Sequence, residues 1–184
     1  MPYELELRDG VPGIFVQQQI QEYGRPGDAV IPKWLDAEHL YGILWLTTPK
    51  TRAATRFVPI PQGLWDRLWA RIRRLHVGPR ELVFTNQLGH PVREATERHH
   101  WLKALEAAGL PQVRIHSARH WMASMTARAG MPEDARVSIM GHVSLQMTMH
   151  YTHRDAASLG RLMAAAIPDL HDGIEIIDAT PARG

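Results

Sequence analysis

Apolar and polar positions alternate along the chain with one period early and another later. "GIFVQQQIQ" (Gly13–Gln21) alternates in twos, the pattern of a half-buried strand. "EYGRPGDAVIPKWLDAEHL" then breaks the pattern with Gly and Pro and reads as a long excursion. "YGILWLT" and "TRFVPI" are β-branched and aromatic runs on either side of "TPKTRAA", which predicts a hairpin with Lys50 near its tip. These segments together predict a small antiparallel sheet of about three strands.

Beyond that point the pattern is helical. Leu64, Leu68, Ile72 and Leu75 recur on one helix face, with Trp65 and Trp69 beside them. "LVFTN" reads as a brief extended piece and "GHPV" as a turn. A helix from about Glu94 to Ala108 is closed by Gly109-Leu110-Pro111, and another from Ser117 to about Ala129 stops at Gly130. Pro132-Glu133-Asp134 opens the next, which Gly141 ends. Ser144 can cap a short helix leading to Tyr151, and Asp155 can cap a last one whose Leu159, Leu162, Met163 and Ala166 face inward. From Pro168 the chain reads as a tail, in which "IEII" is apolar enough to need a partner. The expectation is an α+β fold, mainly α: a small three-stranded antiparallel sheet followed by a helical bundle.

Composition narrows the chemistry. The chain has 184 residues, the size of one domain, and no run approaches eighteen apolar residues. The acidic start "MPYELELRDGVPG" lacks the regions of a signal peptide, so the reading is a soluble cytoplasmic protein without a membrane partner. Zero cysteines exclude disulfides, thiolate catalysis and cysteine zinc sites. The net charge of +2 conceals a partition: residues 49–128 carry fourteen Lys/Arg against five Asp/Glu, an excess of nine, while both flanking stretches are acidic. A block that basic fits a phosphate-facing surface, and equally fits a solvated arginine-rich face.

Two clusters carry candidate chemistry. In "RIHSARHW", His116, Arg119 and His120 share one face of a first helical turn, where a guanidinium beside free backbone donors is suited to hold a phosphate. A zinc reading of His116 and His120 is weak, because Ser117 stands where a metalloprotease helix has its catalytic Glu. In "SIMGHVSLQMTMHYTH", His142 follows the Gly141 helix stop and Tyr151 comes nine residues later, flanked by His150 and His153. Taken alone, Tyr151 reads as a packed core ring, His150 and His153 as surface residues, and Met140, Met147 and Met149 as core filler.

Order along the chain alters that balance. "KTR" followed by "VPIP", then "LVFT", "AGLP", "HSARHW" and "MGHVSLQMTMHYTH" resemble the catalytic domain of the tyrosine recombinase, or phage integrase, family from about Gly13 to Ile167. The resemblance implies site-specific DNA recombination through a 3′-phosphotyrosyl intermediate, with no metal and no cofactor. It implies catalytic roles for Tyr151 (nucleophile), Lys50 (acid for the leaving oxygen), Arg119 (transition-state charge), His116 (proton transfer) and His142 (phosphate hydrogen bond), with His120 supporting from behind. Lys50, Thr51, Arg52 and Arg56 would contact DNA. The implied partners are double-stranded DNA and further recombinase protomers in a synaptic assembly. The implied location is the cytoplasm, at the nucleoid of a prokaryote or with a phage.

The chain also departs from that pattern. Ser117-Ala118 replaces the family's usual Asp-Leu before the arginine, and no Arg-x-Gly-Glu segment, which carries the family's first catalytic arginine, is found before the sheet. Arg8, in "LELRDG", is not accepted as its substitute. The expectation is a partial, N-terminally truncated catalytic domain over residues 1–167 with a tail over 168–184, impaired in cleavage. The rival is a non-catalytic DNA-binding remnant or a regulator of a complete recombinase. A histidine-based metal hydrolase is a distant third.

Overall fold

The computed structural model describes residues 1–49, 54–141 and 155–167. It contains six strands and five α-helices among the described residues, and the α+β class with helices dominating holds. The strands are β1 (Leu5–Arg8), β2 (Val11–Val16), β3 (Gln19–Glu22), β4 (Ala37–Tyr41), β5 (Leu44–Thr47) and β6 (Arg56–Pro59). The helices are α1 (Gln62–Leu75), α2 (Glu94–Ala107), α3 (His116–Arg128), α4 (Glu133–Met140) and α5 (Ala156–Ala166).

The strands form two three-stranded antiparallel sheets, in the orders β1-β2-β6 and β3-β5-β4. "GIFVQQQIQ" therefore divides at Gln17-Gln18, its first half pairing with β6 and its second with β5. The expected hairpin between "YGILWLT" and "TRFVPI" is not the pairing observed. Both edges of β5 are taken, by β3 on one side and β4 on the other, so β6 has no ladder to join there. It pairs instead with β2, in the register Gly13↔Pro59 to Val16↔Arg56. Gly13 makes room for this, because a Cβ at that position would overlap the Phe57 ring. Two strands also arise where none was expected, β1 ahead of the first run and β4 inside the Gly/Pro-rich excursion.

The helices follow the sequence closely. Asp155 caps α5, its carboxylate accepting from the Ser158 backbone N–H at 2.6 Å. Gly141 ends α4 in the left-handed conformation at φ 65°, where a Cβ would crowd the following carbonyl. A core forms where α4 meets α5: Met131, Ala135, Ile139, Leu159, Met163 and Ala166 are buried together, with Val58, Met122, Leu162 and Ile167 packed around them. Burial of each large aliphatic side chain contributes about 1.5–3 kcal/mol. This cluster therefore holds α4 against β6 and α3. By contrast α2 is exposed along most of its length, with Leu105 its buried residue.

Candidate functional site

Arg119 lies in the first turn of α3 and is half-buried. Its Nη2 donates to the main-chain carbonyl of Met140, the last residue of α4. The next carbonyl back, Ile139 O, accepts from Arg56 Nε at 2.8 Å, and Arg56 Nη1 donates to Ala54 O at 2.9 Å. Two guanidiniums from distant parts of the chain thus meet consecutive carbonyls at one helix C-terminus. That end carries the negative pole of the helix dipole, which favours cations. α4 supplies none of its own, having no basic residue in its last turn.

The cluster bears on Arg56. Burial first, and then the neighbouring Arg119 charge, hold the Arg56 guanidinium below the usual arginine range. No carboxylate pairs with either arginine among the described residues. A half-buried cluster of positive charge is left beside Gly141, whose Cα faces the Arg56 side chain so closely that a Cβ would lie 2.9 Å from Nη1 and 3.0 Å from Cζ. Such a cluster suits an anion with several acceptor oxygens, such as a phosphodiester.

His116 is the first residue of α3 and is exposed, its ring centroid 5.0 Å from that of His120 at an interplanar angle of 79°. It therefore shares the turn that presents Arg119, as the spacing predicts. The free backbone donors expected at this helix start are partly consumed: Ser117 N–H donates to Arg114 O at 2.8 Å and Ala118 N–H to Ile115 O at 3.0 Å. The cause is Ile115, which is already helical at φ −54° and ψ −33° and carries the turn one residue back. Any anion here is met by side chains more than by the helix end. Among the described residues no three His, Asp or Glu side chains gather as a metal would require.

Of the other residues singled out in the sequence, Lys50, Thr51, Arg52, His142 and Tyr151 lie outside the described residues, as do Ser144, His150, His153 and the tail over 168–184. Arg56, expected on the DNA face, is turned inward toward α4. Arg8 is committed elsewhere. It pairs with Glu6 at 2.7 Å and stacks on the Phe15 and Phe57 rings at 4.1 and 5.2 Å. In the ladder Arg8 is opposite Val11 while Arg56 is opposite Val16. Their backbones are thus about 17 Å apart along β2, and Arg8 does not reach the Arg56–Arg119 cluster.

The described site is thus an α+β domain's pair of arginines gathered at the C-terminus of α4, with the histidine-bearing first turn of α3 supplying one of them. Comparison with known proteins gives the lineage. The model of the phage integrase family matches residues 21–158, and the chain belongs to that family. It is 31% identical over 114 residues to an integrase of Saccharopolyspora erythraea, a match covering 56% of this chain and 26% of the relative. It is 30% identical over 118 residues to a tyrosine recombinase XerC-like protein of Caldanaerobacter subterraneus, covering 57% and 30%. A putative prophage phiRv2 integrase of Mycobacterium tuberculosis is 29% identical over 135 residues, covering 71% and 36%. The chain spans about a third of the length of these relatives. No solved structure matches it. No helix among the described residues is long and apolar enough to cross a membrane.

Proposed function

We propose that this chain carries the catalytic part of a site-specific DNA recombinase. The observation that supports this reading most directly is Arg119, in a chain of the phage integrase family, one turn from His116 and held by the carbonyl of Met140, the residue that stands two positions ahead of His142 in sequence. In the proposed reaction the Tyr151 hydroxyl oxygen attacks the scissile phosphorus, with its proton passing by way of His116. A P–O bond to the tyrosine forms as the bond to the 5′ oxygen breaks. Lys50 donates the proton that turns that oxygen into a 5′-hydroxyl. Arg119 meets the negative charge that builds on the non-bridging oxygens, His142 hydrogen-bonds one of them, and His120 supports His116. A phenol of pKa near 10 is a weak nucleophile at neutral pH, so it needs this proton acceptor and an electrophilic phosphate. The phosphotyrosyl ester keeps the bond energy for rejoining, so the reaction draws on no cofactor and no metal. Lys50, Thr51 and Arg52 contact the DNA near the cleavage point, and the partners are duplex DNA and other recombinase protomers at the nucleoid.

A nicked suicide duplex, from which the 5′-hydroxyl fragment diffuses away, tests this by accumulating a covalent protein–DNA adduct. The expected result is an adduct abolished by Tyr151→Phe and reduced by Arg119→Gln, formed slowly by this chain alone. One arginine fewer than the family's pair costs about 3–4 kcal/mol of transition-state stabilisation, or roughly a hundred- to a thousandfold in rate. An adduct that survives Tyr151→Phe refutes the assignment of the nucleophile. The second reading is a non-catalytic DNA-binding remnant or a regulator of a complete recombinase. It predicts duplex binding with no adduct at any time.

A further inference from the structure

The geometry points to Arg56 as a positioning residue for Arg119: its guanidinium fixes the C-terminal turn of α4, and that turn holds Arg119 in place. The inference rests on the reading of Arg119 as a phosphate contact and concerns what makes that contact possible. Three observations carry it. Arg56 ties β6 to α4 across 83 residues of sequence, with Nε on Ile139 O at 2.8 Å and Nη1 on Ala54 O at 2.9 Å. Arg119 is held by the very next carbonyl, Met140 O, so whatever orients the Ile139 peptide also orients the acceptor of Arg119. The third is Gly141, in the left-handed conformation at φ 65°, where the absent Cβ is replaced by the Arg56 side chain at 2.9–3.1 Å from where it would stand.

The chemistry of the guanidinium explains why the residue is arginine. Its donors form a rigid fork that can serve two carbonyls in different directions at once, whereas a lysine ammonium offers one compact charge on a flexible stem. Two of the Arg56 donors are already on main-chain oxygens, and the side chain is half-buried, so its reach toward an external phosphate is small. Like charges at this distance repel, and the arrangement persists because both cations face the negative end of the α4 dipole. Removing Arg56 leaves the Ile139 carbonyl without its bond and the turn free to shift, and Arg119 then loses its fixed direction.

The test is the salt dependence of binding to a short DNA duplex, measured by fluorescence anisotropy for wild type, Arg56→Gln, Arg56→Lys, Arg119→Gln and the double variant Arg56→Gln/Arg119→Gln, with circular dichroism as the check on folding. Each phosphate neutralised contributes about 0.9 to the slope of log affinity against log salt. The expected result is that Arg119→Gln lowers the slope by about 0.9, Arg56→Gln lowers it by the same amount, and the double variant falls no further. Arg56→Lys keeps the charge without the fork and behaves as Arg56→Gln. Should Arg56→Gln fail to fold, Arg56→Lys carries the comparison alone. A double variant that loses about 1.8, or a lysine that restores the slope, overturns the inference, since Arg56 is then a phosphate contact in its own right. An Arg56→Gln slope equal to wild type beside a lowered Arg119→Gln slope also overturns it, and leaves the proposed function untouched. A wild type that does not bind duplex, or an Arg119→Gln slope equal to wild type, overturns the phosphate role of Arg119 itself.

Discussion

Replacing Gly141 by alanine tests the packing of the cationic cluster through stability alone. Two costs are expected. An L-residue in the left-handed region costs roughly 1–2 kcal/mol, and Gly141 is there at φ 65°. The added methyl would also stand 2.9 Å from Arg56 Nη1, 3.0 Å from Cζ and 3.1 Å from Cδ. A flexible side-chain end can ordinarily move aside, but this one is held by Ile139 O and Ala54 O. Displacing it forfeits hydrogen bonds from a charged donor, worth about 1.5–3 kcal/mol. Partial relaxation brings the expected total to about 2–4 kcal/mol, a fall in midpoint of about 5–15 °C for a chain of this size. Gly109 and Gly130 are internal controls, at φ 65° and 74° with nothing within 4 Å of a built Cβ. Alanine at either should show the backbone cost alone. The assay is reversible urea denaturation of the three single variants, and of Gly141→Ala in an Arg56→Met background, where the excess over the controls should vanish. If Gly141→Ala costs no more than Gly130→Ala, or if its excess persists without Arg56, the close packing of Arg56 on the α4 terminus is refuted.

Gly160→Ala should destabilise although it improves helix propensity by about 1 kcal/mol, because a Cβ there would lie 2.6 Å from Val11 Cγ1 and force α5 off β2 at a cost of about 1–3 kcal/mol or more; a raised unfolding midpoint would contradict this. Asp155→Ala removes the α5 cap to Ser158 and should cost about 1 kcal/mol in urea denaturation, with Asp155→Asn nearly neutral. Leu159→Ala opens a cavity in the core between α4 and α5 and should cost about 2–5 kcal/mol, against little change for the exposed Leu88→Ala. Duplex binding should weaken steeply with salt through the excess of nine positive charges in residues 49–128, and salt-independent binding would leave that block as ordinary surface.

Helices were legible in this sequence because their ends are marked locally. Gly109, Gly130 and Gly141 all stand at left-handed positions, and the Asp155 cap forms as its residue type predicts. Strand pairing was less legible, because pairing is a choice among partners and the choice is made by edges rather than by residues. "YGILWLT" and "TRFVPI" look like hairpin mates until β4, assembled from the Gly/Pro-rich stretch, occupies the second edge of β5. The extended pattern of "YGILWLT" and "TRFVPI" was right, and their pairing was not.

The site divides in the same way. The spacing of His116, Arg119 and His120 belongs to one helical turn, so their shared face could be read from three and four residue intervals. The bond from Arg56 to Ile139 spans 83 residues and leaves no periodic trace. The one available signal was a deficit: α4 has acids in its first turn and no basic residue in its last, so compensation for its C-terminal carbonyls has to arrive from elsewhere in the fold. Yet α2 and α5 also lack basic residues in their last turns, so the deficit alone does not select α4. What separates α4 is burial of both terminal residues, since α5 ends in a buried Ala166 next to an exposed Ala165 and α2 ends in exposed residues. Ile139 and Met140 are both buried, whereas a helix end in water can leave its carbonyls to solvent. The α4 terminus, buried at both of its last residues and without cations of its own, is met by Arg119 and by Arg56, the arginine that opens β6.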